Sequence, residues 1–206
     1  MCRTASVKVF ALTRAGLDTH EMPEHPPRQI AVHEDLILRW ADLDDTGLIA
    51  SAVGESLKHL GPWMSWATTD AADLEEQRKR RVEMAEQTAA GTDYMYLVLA
   101  GEHGSMLGAC GLHRRLGPEA VEIGYWLHPA HVGHGYITDA AAALSQAALA
   151  LPDVERVEIH CDEANVRSQG VARRLGFRLD RIEVDGIQAP AEVGRSMIWI
   201  YPASSS

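Results

Sequence analysis

A mixed α/β fold, a sheet with helices on its faces, is what this sequence of 206 residues predicts. Three observations carry it. Strand-like runs alternate with helical patterns through the second half of the chain, the arrangement that places helices against a sheet. One of those runs ends near His128 and passes through a glycine turn, Gly133-His134-Gly135, into a helical pattern at 135–151. A further run ends at Cys161 and leads into a short helix that opens at Asn165 and stops at Gly176.

Residues 1–29 carry few periodic signals. Three prolines within Met22–Arg28 exclude regular helix there, so 1–29 reads as an extended leader with a short strand at Val7–Leu12. Leu36–Trp40 (LILRW) is a strand. Asp42–Asp45 supply capping carboxylates for a helix running to about Leu57, and His59–Thr69 is a loop carrying Trp63 and Trp66. Asp70 opens a charged helix over Ala71–Ala90, closed by Gly91. Strands follow at Tyr94–Ala100, Met106–Arg115 and Glu119–His128. In the next helix Ile137, Ala141, Leu144, Ala148 and Leu151 recur at spacings of four and three, which makes one apolar face, and Pro152 ends it. Arg156–Cys161 is a strand, Asn165–Leu175 a short helix with an Asn cap, and Arg178–Val184 and Arg195–Tyr201 are the last strands. The domain is expected over 30–201, with a frayed tail at 202–206.

Composition narrows the function. Hydrophobic residues at 46% suffice for a sizeable core, and charged residues at 23% are ordinary for a globular chain. The net charge of −10 repels nucleic-acid backbones and anionic membranes and favours cationic partners such as amines. Three widely spaced cysteines without a CxxC pair fit a reducing compartment and argue against a zinc site or a disulfide framework. The N-terminus lacks the pattern of a signal peptide, and the most apolar stretch, Ala140–Leu151, is too short to span a bilayer. The expectation is a cytoplasmic protein with no nucleic-acid or membrane partner.

The strand–GxG–helix segment EIGYWLHPAHVGHGYITDA has the physics of a pyrophosphate site. N–H groups in the first turn of a helix lack intrahelical partners, lie at the positive end of the dipole, and can be approached closely where glycine stands. A plain connecting turn explains a lone GxG as well. A P-loop is excluded because no lysine follows, and the dinucleotide fingerprint because the third glycine is missing. His128, His131 and His134 fall three apart but have no carboxylate or cysteine to complete a metal shell, so no metal is expected. The run Arg78–Arg81 is interleaved with glutamates and reads as a solvated helix face.

Taken together, YWLHPAHVGHGYITDAAAAL and ANVRSQGVARRLGF resemble the acetyl-CoA loop and the NxxS…LGF element of the GNAT superfamily of N-acetyltransferases. LGPWMSW, and LILRW followed by DLDD, resemble its Rim-type branch, the ribosomal-protein N-terminal acetyltransferases. The resemblance spans roughly Ile30 to Tyr201. It implies a mixed sheet of six or seven strands in which the strands at Ile123–Leu127 and Arg156–His160 splay apart. Pantetheine of acetyl-CoA would lie in that cleft against backbone groups of Trp126, Leu127 and His128. The pyrophosphate would sit on N–H groups of Val132, Gly133, His134, Gly135, Tyr136 and Ile137, with Asn165 and Ser168 near the thioester. Val132 and His134 stand where the family usually carries Gln, Arg, Trp or Lys, which removes fixed positive charge, and Ile137 is bulkier than the usual small residue. Gly170 inside a short helix is a further oddity.

The implied chemistry is attack of a primary amine on a thioester. A protonated amine must first lose a proton, the oxyanion needs a backbone N–H donor near Leu127, and the departing thiolate benefits from an acid. Glu122 is the expected base, with a salt-bridged strand carboxylate as its plain alternative. His113 competes with it but fits a satisfied sheet histidine better. Ser168 is the expected acid, its plain alternative a hydroxyl bonded to the helix backbone four residues back. Trp63, Trp66 and His113 would line the acceptor side, one tryptophan buried and the other facing the pocket. The acceptor is read as a protein N-terminal amine, such as that of a ribosomal protein. A polyamine or aminoglycoside acceptor, a succinyl donor, a non-catalytic acyl-CoA-binding module and a homodimer all stay open.

Overall fold

The computed structural model describes residues 24–101 and 104–202. The expected strand at Val7–Leu12 and the tail 203–206 lie outside them. Eight strands form one sheet: β1 (Gln29–His33), β2 (Leu36–Trp40), β3 (Asp93–Leu99), β4 (Met106–His113), β5 (Ala120–Leu127), β6 (Arg156–Asp162), β7 (Arg178–Val184) and β8 (Arg195–Pro202). They lie in the order β1-β2-β3-β4-β5-β6-β8-β7. The expectation of six or seven strands misses β1, five residues that alternate exposed and half-buried at the sheet edge. β1 pairs antiparallel with β2, so the leader already joins the sheet at Gln29. Its last turns are anchored as well: Tyr96 Oη donates to Pro27 O at 2.6 Å, His25 Nδ1 meets Tyr94 Oη at 2.7 Å, and the Arg28 guanidinium lies 5.1 Å from the Trp40 ring centroid.

Four helices cover the sheet: α1 (Thr46–Leu60), α2 (Leu74–Ala89), α3 (Tyr136–Leu149) and α4 (Val166–Arg174). Two helix starts differ from expectation. Asp42 and Asp45 form a capping box on a 3-10 turn, Leu43–Asp45, that leads into α1, and Asp45 is held by Arg39 at 2.6 and 3.0 Å instead of capping α1. The second helix opens at Asp73, whose carboxylate accepts from the N–H groups of Glu75 and Glu76, while Asp70 lies in a separate 3-10 turn. α1 runs on to Leu60, which shortens the tryptophan loop at its front.

Strand alternation sorts the side chains into two layers. Tyr94, Tyr96, Leu112, Val121 and Ile123 pack with Leu144 and Ala148 of α3 in the larger core. Leu97, Leu99, Ala109 and Trp126 face Ile49, Val53 and Leu60 of α1 in the smaller one. β5 and β6 are the parallel pair, as a helical crossover through α3 requires. Their pairing ends early: Ala120↔Arg156, Val121↔Val157 and Glu122↔Glu158 are the only partners. From Ile123 and Ile159 onward the strands part, as the resemblance implied. No helix of the described residues is long and apolar enough to cross a membrane.

Candidate acyl-transfer cleft

The opening between β5 and β6 leads into a cavity of about 740 Å³. Because His128 N–H donates to Leu107 O, the alternate residues of β5, namely Leu127, Tyr125 and Ile123, turn their backbone groups away from β4. With β6 splayed off, these groups face the cleft as an unpaired strand edge. An extended amide chain can add to such an edge, and the Leu127 N–H is in position to donate to an oxygen.

At the far end of the cleft, none of the N–H groups from Val132 to Ile137 donates to a protein acceptor among the described residues. Gly133 and Gly135 have φ of 86° and 91°, left-handed conformations that side chains resist, and Gly135 is the residue immediately before α3. Six donors at the positive end of a fourteen-residue helix are fitted to a pyrophosphate. The positive charge absent at Val132 and His134 is present from another element: Arg174 of α4 reaches Thr138 Oγ1 at 3.3 Å in the first turn of α3. This also accounts for Gly170, since a Cβ there would come within 3.2 Å of Arg174 Nη1.

The sequence-derived candidates separate into three groups. Trp63, Trp66, Glu122, Trp126 and Leu127 line the cleft, as do Val132, Gly133, Ile137, Asn165 and Ser168. His128, His134, Gly135 and Tyr136 sit on the loop outside its walls. The His134 and Tyr136 rings stack at 5.7 Å, and His128 caps its own turn through Ala130 N and meets Glu55 at 3.3 Å. His113 lines an adjoining cavity of about 430 Å³ that shares Gly124, Tyr125 and Trp126 with the cleft. Both loop tryptophans are half-buried and both line the cleft, where one buried and one facing the pocket had been expected; the Trp66 ring leans on Trp126 with centroids 6.4 Å apart.

Ser168 does not bond the carbonyl four residues back. Its Oγ is 2.9 Å from Tyr125 Oη, a phenol whose pKa burial pushes up, while its N–H donates to the Asn165 side chain that caps α4. Glu122 is buried and bidentate with Arg115 at 2.7 and 2.6 Å. Burial alone would raise its carboxyl pKa, but the Arg115 hydrogen bonds and guanidinium charge, with the imidazoles nearby, hold it below the usual carboxylate range. Such a group is an anion at neutral pH and a weak proton acceptor.

The register places further polar residues beside it. Asp93, His113, Glu122 and Glu158 are successive partners across β3, β4, β5 and β6. Two carboxylate–imidazole pairs result. His113 Nδ1 meets Asp93 Oδ2 at 2.6 Å, and its Nε2 lies over Gly124, where a Cβ would come within 2.9 Å. His160 Nε2 meets Glu158 Oε2 at 2.7 Å, and its Nδ1 faces Glu122 at 3.9 Å within the cleft. Sequence reasoning passed over His160, Tyr125, Arg115 and Arg174. The one available signal for His160 was its two-residue spacing from Glu158 on a strand already assigned to the cleft.

Asp162, at the end of β6, ties the cleft wall together. Its Oδ1 accepts from Ala164 N at 2.8 Å, and its Oδ2 accepts from Val193, Gly194 and Arg195 N–H groups at 3.0, 2.9 and 3.3 Å. Burial opposes the charge, but these backbone donors lower its pKa overall. Asp162→Ala, which strands the donors, is expected to cost on the order of 2–3 kcal/mol in urea denaturation at pH 7. A group with a depressed folded pKa contributes fully above its unfolded value of about 3.9, and that contribution fades as pH falls through the folded value. The difference between wild type and variant is therefore expected to shrink below about pH 4. A gap that stays constant from pH 7 to pH 3 would show that the charge is not what holds the loop.

Residues 35–178 match the family model described as "Acetyltransferase (GNAT) domain". The protein named "Putative ribosomal N-acetyltransferase YdaF", from Bacillus subtilis (strain 168), is 26% identical over 162 residues, covering 76% of this chain and 85% of that protein. Among solved structures, the fold is shared with RimL, a ribosomal L7/L12 alpha-N-protein acetyltransferase in complex with coenzyme A. The TM-score there is 0.77 at 24% identity, over 84% of this chain and 97% of that one. The microcin C7 self-immunity acetyltransferase MccE, in complex with acetyl-CoA and AMP, superposes with a TM-score of 0.78 at 16% identity, over 87% and 99%.

Proposed function

This chain belongs to the acetyltransferase (GNAT) domain family, and on that premise we propose that it acetylates the N-terminal amine of a protein, foremost a ribosomal protein, in the cytoplasm. It is an acyltransferase that uses acetyl-CoA. The observation carrying the reading is the early end of the β5–β6 pairing, with an unpaired strand edge at one end of the cleft and six free N–H donors at the other. Support for a protein acceptor comes from the ribosomal N-acetyltransferase name of the B. subtilis relative. The domain is taken as residues 30–201, with 1–29 as leader and 202–206 as tail.

In this reading the edge offered by Tyr125 and Leu127, not the backbone of Trp126 and His128, which faces β4, holds the pantetheine arm, and the Val132–Ile137 loop with Arg174 holds the phosphates. The Leu127 N–H steadies the thioester oxygen, and Ser168, backed by Tyr125, donates a proton to the departing sulfur. Trp63 and Trp66 wall the acceptor entrance and exclude water. The amine proton goes to the Glu122–His160 pair. With Nε2 engaged by Glu158, the imidazole has Nδ1 available to take the proton, and the Glu122 anion stabilises the imidazolium that forms. Imidazole is the side-chain type suited to this near neutral pH, and a carboxylate clamped by Arg115 serves better as the fixed charge beside it.

The test is release of free thiol from acetyl-CoA with three sets of acceptors: ribosomal-protein N-terminal peptides, polyamines and aminoglycosides. Transfer to the peptide α-amine is the expected result. Transfer confined to the small amines would move the acceptor class, and tight CoA binding without release for any acceptor would leave a non-catalytic acyl-CoA-binding module.

A further inference from the structure

The inner stripe of α2 is unlike a core-facing helix surface. Gln77, Arg81 and Met84 fall at spacings of four and three along the cavity side of the helix, and the first two are polar where apolar residues would be expected. Gln77 and Arg81 are 3% and 6% exposed. Yet Gln77 Oε1 and Arg81 Nε have no hydrogen-bond partner among the described residues, and there the Arg81 guanidinium donates only from Nη1, to Met95 Sδ at 2.8 Å. The charges of Asp45 and Asp93 reach the guanidinium and partly offset the burial, but Asp45 is clamped by Arg39 and Asp93 Oδ2 by His113, while Asp93 Oδ1 is itself buried without a hydrogen-bond partner among the described residues. Burial pushes the guanidinium below its ordinary pKa, and neighbouring Arg80 adds to this.

A desolvated arginine without an ion-pair partner among the described residues is costly to the free protein, and an arriving anion would offset that cost. The place for one is present. Arg81, Gln77 and Arg80 line the 430 Å³ cavity that opens off the acceptor side of the cleft, along Gly124 and Trp126. Arg115, which lines both cavities, already has its carboxylate in Glu122; Glu83 also lines this cavity, but buried Arg81 has no ion pair among the described residues.

We propose that this cavity is a specificity subsite in which Arg81 receives a carboxylate carried by the acceptor. The acceptor is thus an amine that bears an acidic group, despite the net charge of −10, which by itself favours cationic acceptors. The proposal rests on the amine-transfer reading above. The carboxylate can belong to an Asp or Glu side chain near a peptide N-terminus or to a small amino-acid-like amine. A planar guanidinium suits it because it offers paired donors to two oxygens.

The test compares kcat/KM for matched acceptors, an acidic peptide against its amide twin (Glu→Gln near the N-terminus) and glutamate against glutamine, in wild type, Arg81→Gln and Arg81→Met. The expected acidic-to-amide ratio in wild type is at least tenfold in one of the two pairs, which identifies the source. It falls toward one in both variants. Arg81→Met is expected to melt at or above the wild-type temperature, because an apolar chain of similar length replaces an unpaired buried charge. N-acetylated forms of the acidic probes, titrated calorimetrically into the CoA-loaded protein, report the cavity without turnover. They are expected to bind wild type and to lose binding at least tenfold in Arg81→Gln. If no amine is acetylated but the blocked probes bind through Arg81, the transfer reading fails and the subsite stands. A ratio near one in wild type, a ratio unchanged in the folded variants, or blocked probes that bind wild type and Arg81→Gln alike or not at all, each overturns the proposal.

Discussion

Gly135→Asp is expected to weaken coenzyme A binding at least thirtyfold, about 2 kcal/mol, while the protein stays folded. Two effects act together. The residue has φ of 91°, where any side chain is strained, and it stands immediately before α3 in a loop whose six N–H groups have no protein acceptor among the described residues. An aspartate there also adds a negative charge at the spot where an anion would approach the helix dipole. Gly135→Asn separates the two contributions, since asparagine tolerates the left-handed region and carries no charge. Its affinity should fall between wild type and aspartate. Calorimetry with coenzyme A, alongside a melting curve for each variant, reads the result. A folded Gly135→Asp that binds with wild-type affinity would remove the 132–137 loop from the site.

His160→Gln should lower kcat by about 10²–10⁴, the usual contribution of a positioned acid–base group, and should abolish the acidic limb of the pH–rate profile. That limb marks the protonation of the base and loss of its free Nδ1. Glu122→Gln acts on the same group from 3.9 Å away. Removing the carboxylate withdraws the charge that stabilises the imidazolium, so kcat falls by roughly tenfold. Coenzyme A affinity should change little in either variant. His113→Gln is the control, because its imidazole is also paired to a carboxylate, 2.6 Å from Asp93. It should leave the acidic limb in place. If His113→Gln erases the limb and His160→Gln does not, the proton leaves through the Asp93–His113 pair. If only Glu122→Gln erases it, the carboxylate itself is the base.

Much of the site was legible because its parts are local. A strand, a glycine turn and a helix start within twenty residues are written contiguously, and the left-handed glycines at 133 and 135 and the cap at Asn165 stand where the sequence placed them. The succession of strands and helices along the chain followed from alternation of pattern for the same reason. The misses are of two kinds. β1 is an edge strand with only its alternate residues half-buried, so it lacks the apolar run that marks an inner strand. The start of α2 was taken from the first of two aspartates, Asp70 and Asp73, both plausible caps; a four-residue 3-10 turn separates them, and only backbone geometry decides between the two.

The sequence by itself determined the fold class and the strand–glycine turn–helix of the candidate anion loop, because these depend on residues close together in the chain, whereas the splayed pair and the candidacy of Ser168 came from the family resemblance. Only the tertiary structure decided what those residues meet. Arg115 clamps Glu122, Tyr125 takes the Ser168 hydroxyl, and Arg174 supplies the charge absent from the loop. The register across four strands lines up Asp93, His113, Glu122 and Glu158, and Arg81 lies buried against the sheet without an ion pair among the described residues. Charge and protonation are set by distances of a few ångströms between residues far apart in sequence, and such distances exist only once the sheet has closed.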